Sequence, residues 1–243
     1  KAPLLPSDAL SPGTQTGLAL WMILLLAIAF SPLQIYLPIF LQKLHGLDPL
    51  MAGYVMSAAS LGWTVGAIAF AGTPEHRVNW VLLGGPVAMV VGLYGVAELT
   101  TRDVMLLIPA IVLAGIGIGG CWGFIAQRVM SGAKKGEETI AAPSVATTQQ
   151  IGFALGGAAA GLVANTSGLT LGLERAGLES AAFWTPVWFV VPAAFGLLAA
   201  VRLNAMVHRR PSVKETIERL RDLPKPARVE RRDTREMPER RGL

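Results

Sequence analysis

Cysteine is nearly absent from the 243 residues: Cys121 stands alone, so no intrachain disulfide can form. Histidine occurs three times, as His45, His76 and His208, and in no metal-ligand spacing. The chain has no G-x-S-x-G, no H-E-x-x-H and no P-loop lysine motif, and no histidine lies inside an apolar segment where it could serve a serine nucleophile or hold haem. An enzyme is therefore not expected, and neither is a cofactor or a resident metal. Charge is also scarce. Charged residues make up 15% of the chain, against about 25% in an ordinary soluble domain. What charge there is lies at one end: from His208 to Leu243 there are 12 Lys and Arg against 7 Asp and Glu, so this tail carries the whole net charge of +5. The rest of the chain is neutral, and the basic pI gives no reason to expect nucleic acid as a partner.

In place of charge there are long apolar blocks. The chain is 52% hydrophobic with a mean hydropathy of +0.50, and its apolar runs approach the roughly 20 residues a helix needs to cross a bilayer. Six segments can be marked, at about 15–42, 49–71, 78–98, 103–130, 140–166 and 180–207. Unpaired backbone amides are not tolerated in hydrocarbon, so each must be a helix. Pro32, Pro38, Pro86, Pro109, Pro186 and Pro192 are expected to bend these helices rather than end them, because neighbours in a bundle can satisfy the freed carbonyls. The expected fold is an all-α integral membrane bundle of six helices over residues 15–207. A cytoplasmic lead-in covers 1–14 and a basic cytoplasmic tail covers 208–243.

Orientation follows from the basic residues. With six spans, one set of loops and ends holds Lys1, Arg77, Arg128, Lys134, Lys135, Arg202 and the tail, while the other holds only Lys43, Arg102 and Arg175. The richer set is expected in the cytoplasm of a plasma-membrane protein, with both termini inside. In the tail, Ser212 and Glu215 have capping-box spacing and Val213, Ile217 and Leu220 recur at helical spacing. This suits either a short amphipathic helix on anionic headgroups or a solvated tail.

Two features mark the apolar segments. Glycines recur four apart at Gly62/Gly66, Gly115/Gly119, Gly119/Gly123, Gly152/Gly156 and Gly157/Gly161, a spacing that lets helix backbones approach closely in lipid. The polar groups at depth are uncharged, among them Gln34, Tyr36, Gln149 and Gln150, with Trp63 and Trp122 as large aromatic surfaces. With no carboxylate at depth there is no proton relay. Such a set suits an amphiphilic organic ligand better than an ion path. Gln149 and Gln150 fall near the bilayer midplane, about 100° apart around their helix. Either one bonds across a helix contact while the other faces a cavity, or both serve as interhelical glue.

The stretch "IYLPIFLQKLHGLDPLMAGYVMSAASLGWTVGA" resembles the first two helices of the C-terminal half of major facilitator superfamily transporters, most closely the fourteen-span multidrug proton-antiporter branch. Tyr36, Leu37, Pro38, Leu41, Gln42, Gly46, Pro49, Ala52 and Gly53 carry the likeness. "GWTVGAIAFAGTPEHRVNWVLLGG" resembles the cytoplasmic loop motif of that family, retaining Gly62, Gly66, Gly72 and Arg77, with the acidic residue displaced to Glu75 and the second basic residue lost. "TTQQIGFALGGAAAG" is similar to the fifth helix of such a half, with Gly152 and Gly156. The resemblance implies two three-helix repeats and a substrate cavity lined by Gln34, Tyr36, Trp63, Trp122, Gln149 and Gln150. It gives Gly62, Gly66, Gly72, Arg77, Gly152 and Gly156 packing and gating roles. It further implies export of small amphiphilic molecules by proton antiport with alternating access. The partners would be a small-molecule substrate, the lipid bilayer and an N-terminal half of six or eight helices; the start at Lys1 fits a longer parent. The alternative is a non-transporting membrane scaffold or truncated module that assembles through its glycine faces.

Overall fold

The computed structural model describes residues 5–169 and 174–208, and the expected tail helix lies outside them. The described residues form seven α-helices, α1 Gln15–Ile35, α2 Leu37–His45, α3 Pro49–Ala71, α4 Glu75–Leu99, α5 Val104–Gly132, α6 Glu138–Ala164 and α7 Arg175–His208, with a short π-helical turn, Asn165–Leu169, after α6. Their starts are chemically marked. Thr14, Asp48 and Asp103 accept hydrogen bonds from the first-turn amides of α1, α3 and α5, satisfying donors that a helix N-terminus leaves free. Five stretches are long and apolar enough to cross a membrane: Gln15–His45, Pro49–Ala71, Glu75–Leu99, Val104–Gly132 and Arg175–Val207. The helix α6 is less apolar because Ser144, Thr147, Thr148, Gln149 and Gln150 fall within it. Its 27 residues still extend about 40 Å, more than a core of about 30 Å requires.

Most of the prolines do not end helices: Pro32, Pro86, Pro109, Pro186 and Pro192 lie inside α1, α4, α5 and α7. Pro38 departs from the expectation. The expected single helix over 15–42 divides at Tyr36, with Pro38 in the first turn of α2. Proline has no amide to give the carbonyl four residues back, so the ladder opens there. The Gln42 side chain then returns a bond to the Pro38 carbonyl at 3.2 Å. The last helix begins at Arg175, some residues before the expected start at 180.

The two ends of the bundle are fixed by polar contacts. Where α1 begins, Gln15 donates to the Arg128 carbonyl of α5 at 3.0 Å, and Asn204 of α7 donates to the Asn79 carbonyl of α4 at 3.0 Å. The lead-in segment packs over this end. The Ser7 amide donates to the Glu137 carboxylate, and the Lys134 ammonium donates to the Ser7 hydroxyl. At the opposite end the His45 ring lies 2.6 Å from the Thr100 carbonyl.

Within the bundle the glycines reveal an internal symmetry. On α3, Gly62 and Gly66 rest on the Val112 and Ile116 carbonyls of α5; on α6, Gly152 and Gly156 rest on the Leu24 and Ile28 carbonyls of α1. On α4, Gly92 meets Ala114 of α5, and on α7, Gly196 meets Leu26 of α1. The contact positions are thus Leu24, Leu26 and Ile28 on one central helix and Val112, Ala114 and Ile116 on the other, with identical spacing. Because α1 and α5 run antiparallel, the halves α1–α4 and α5–α7 form an inverted pair, each lending two helices to the other's first. The core lies along these two helices: Met22, Ile23, Leu26, Ile111, Ile118 and Ile125 are fully buried.

Candidate functional site

Between α1 and α3 lies a cavity of about 480 Å³ lined by Phe30, Gln34, Met56, Ser60, Trp63 and Thr64, among others. Pro38, in the first turn of α2, is among its lining residues. Its aromatic wall continues inward: the Phe30 and Trp63 rings meet edge-on with centroids 6.2 Å apart, and Trp63 lies 5.5 Å from Trp122 of α5 at a tilt of 48°. Phe30 is buried while both tryptophans are half-buried. Gln34 is exposed and has no hydrogen-bond partner among the described residues. Thr64 bonds back to the Ser60 carbonyl of its own helix at 2.9 Å, which presents its methyl and hydroxyl without breaking the helix. The wall therefore offers two tryptophan surfaces and a few neutral hydrogen-bonding groups. It can stack a flat apolar body and hold a polar handle, within the size range of small-molecule pockets.

The six residues expected to line one cavity do not all meet. Gln34, Trp63 and Trp122 form this wall. Tyr36, Gln149 and Gln150 lie toward the other side of α1, where α6 packs. The Tyr36 hydroxyl sits against Gly161, and Ile35 against Gly157. Gln149 is half-buried beside the ribbon of Thr148, Gly152 and Gly156, whereas Gln150 is exposed. Neither glutamine side chain bonds across to another helix. At this contact the Ser31 hydroxyl donates to the Ala27 carbonyl of its own helix at 2.9 Å and lies 3.4 Å from the Phe153 carbonyl of α6. Phe30 and Ser31 are the contributions that sequence reasoning passed over. Phe30 shares a helical stripe with Gln34, and that spacing was the available signal.

The packing residues divide as well. Gly62, Gly66, Gly152 and Gly156 lie where backbones approach too closely for a side chain. Gly72 has open space around it as the C-cap of α3, and Arg77 stands at the rim of a separate groove between α4 and α5. Among the described residues no group of His, Cys, Asp or Glu could hold a metal.

The sequence model of the Major Facilitator Superfamily matches residues 1–157. The chain belongs to that superfamily. It is also 33% identical over 183 residues to a probable multidrug-efflux transporter of Mycobacterium tuberculosis, found in the CDC 1551 / Oshkosh and H37Rv strains alike. That alignment covers 72% of this chain and 37% of the relative. The riboflavin transporter RibZ of Clostridioides difficile is 29% identical over 122 residues, covering 49% of this chain and 27% of that protein. The chain thus spans little more than a third of the curated relatives it matches first. The major facilitators are multi-pass membrane transporters, not enzymes, and the inverted three-helix repeats seen in the glycine contacts are the arrangement expected of one six-helix half of that fold.

Proposed function

We propose that this chain is the C-terminal half of a secondary active transporter that exports small amphiphilic, drug-like molecules by proton antiport. The observation that carries the reading is the cavity beside Trp63. It joins Trp63, Phe30 and Trp122 to Gln34, Ser60 and Thr64, a neutral and aromatic lining suited to flat molecules of mixed polarity. The multidrug relatives point the same way. Substrate would sit between this half and a second one of six or eight helices, and the two would rock against each other to expose it to either side. The four glycines at the α3–α5 and α1–α6 contacts would let helix pairs slide as that happens. Both termini would face the cytoplasm.

The described carboxylates (Asp8, Asp48, Glu75, Glu98, Asp103, Glu137, Glu138, Glu174 and Glu179) all stand before, between or at the ends of helices. The group that carries the proton would therefore belong to the other half. The test is drug-dependent proton flux in proteoliposomes. The chain reconstituted alone should give none, and flux should appear when it is joined to the N-terminal half. Robust flux from the chain alone would overturn the half-transporter reading.

A further inference from the structure

A second cavity lies apart from the one beside Trp63. It is a groove of about 740 Å³ between the end of α3, the start of α4 and the middle of α5. Along α4 it is lined by His76, Arg77, Trp80, Val81, Gly84, Gly85 and Ala88, a stripe at helical spacing. Twelve residues separate His76 from Ala88, so the groove runs about 18 Å inward from the end of the helix. That matches the roughly 15 Å from the surface of a bilayer core to its midplane. The floor is made of small residues. Gly84, Gly85, Gly117 and Gly120 line it, and Phe70 closes one side. Trp80 flanks it and is 75% exposed, an unfavourable position for an indole in water and a usual one at a membrane interface.

We infer that this groove holds one acyl chain of an anionic phospholipid, with the headgroup phosphate on Arg77 and His76. Three features favour a lipid over a water-soluble ligand: the groove is flanked by the exposed Trp80, its inner part is apolar, and its basic side chains, Arg77 and His76, stand at the outer end. Arg77 has no ion pair among the described residues, so its guanidinium is available to a phosphate. Glu75, the nearest acidic residue in the sequence, does not line the groove. A bound chain here would cover the close contact between α4 and α5, where Gly85 rests on Gly117 and Cys121. The groove shares α3 with the cavity beside Gln34 but none of its lining residues, so it does not depend on the substrate reading.

The test uses the protein in phosphatidylcholine nanodiscs doped with a phosphatidylglycerol probe that carries a diazirine on its acyl chain. After illumination, labelled peptides are mapped by mass spectrometry. Labelling should concentrate on residues 80–88 and exceed that from a matched phosphatidylcholine probe. Arg77→Gln should lower the phosphatidylglycerol labelling there about fivefold, the equivalent of about 1 kcal/mol for one cation at the surface. A side chain at Gly84 meets open space, so Gly84→Leu should fill the groove without disturbing the fold and abolish the signal. Labelling of the exposed residues Phe195 and Leu198 on α7 should stay unchanged in both variants. Equal labelling by the two probes in the unaltered protein would reduce the groove to ordinary boundary lipid and overturn the proposal. So would residues 80–88 that label as strongly in Gly84→Leu as before.

Discussion

Single side chains in this bundle act mainly through what they leave out. Gln34, Ser60 and Thr64 bring hydrogen-bonding capacity to the cavity without charge, and Trp63 brings a surface. Trp63 is the pivotal residue because it touches Phe30 on one side and Trp122 on the other. Its loss removes the middle of the aromatic wall. An aromatic contact contributes about 0.5–1.5 kcal/mol beyond burial, so Trp63→Ala in the full-length transporter should weaken export of flat aromatic substrates about two- to tenfold. Aliphatic substrates should be less affected, as measured by half-maximal inhibition of growth across a panel of compounds. A uniform loss across the panel would instead mean that Trp63 supports the fold. Trp63 and Trp122 could be singled out as large aromatic surfaces in an otherwise apolar run. That they touch each other could not, because the sequence does not say which face of α3 meets α5.

Helices were legible from hydropathy because the hydrocarbon core leaves a buried backbone no other choice. Their ends were legible to within a few residues, since Thr14, Asp48 and Asp103 are conventional caps. What escaped was pairing. The Gly62/Gly66 and Gly152/Gly156 spacings show that something approaches closely, but not that the partners are the carbonyls of Val112 and Ile116 on α5 and of Leu24 and Ile28 on α1. For the same reason the inverted repeat was hidden: it is a symmetry of contacts, written in different residues on each side. The α1–α2 break escaped because six prolines look alike in sequence, and only the structure shows that the helix is interrupted at Tyr36. Gln149 and Gln150 looked suited to interhelical bonding by chemistry, yet it is the smaller Ser31 that fits at the close contact, against Gly156 and 3.4 Å from the Phe153 carbonyl. The tightness of this contact can be measured. A leucine at Gly156 would drive into the Ile28 backbone and the Ser31 hydroxyl, and overpacking of this kind costs about 1–3 kcal/mol. At about 2–4 °C per kcal/mol for a chain of this size, Gly156→Leu should lower the midpoint of thermal unfolding in detergent by several degrees. Gly123 belongs to the same glycine pattern but has nothing within 4 Å of an added Cβ. Gly123→Leu should therefore leave the midpoint nearly unchanged. Equal shifts in the two variants would mean that glycine spacing alone, and not the observed contact, sets the stability.

At the scale of the whole molecule the open question is which way the bundle faces. The structure brings Arg77, Arg128, Lys134, Lys135 and Arg202 to one end, because Gln15 ties α1 to the end of α5 and Asn204 ties α7 to the start of α4. Lys43, Arg102 and Arg175 belong to the opposite end, where His45 meets Thr100. Arg102 and Arg175 there are each engaged by an acidic neighbour four residues away, Glu98 at 3.1 Å and Glu179 at 2.9 Å. At the first end no Lys or Arg among the described residues has such an ion pair, so the asymmetry in free positive charge exceeds the asymmetry in count. The positive-inside bias acts on Lys and Arg near the ends of spans, which is why we propose the first end as the cytoplasmic one. Cysteine labelling can decide this, because Cys121 is buried and gives a silent background. Gly136→Cys in the α5–α6 loop and Arg102→Cys between α4 and α5 both place thiols on exposed positions. In intact cells a membrane-impermeant maleimide should label Arg102→Cys and spare Gly136→Cys until the membrane is opened. The reverse pattern would put the basic end, the groove beside Arg77 and both termini outside. The proposed direction of transport would then have to be reversed along with them.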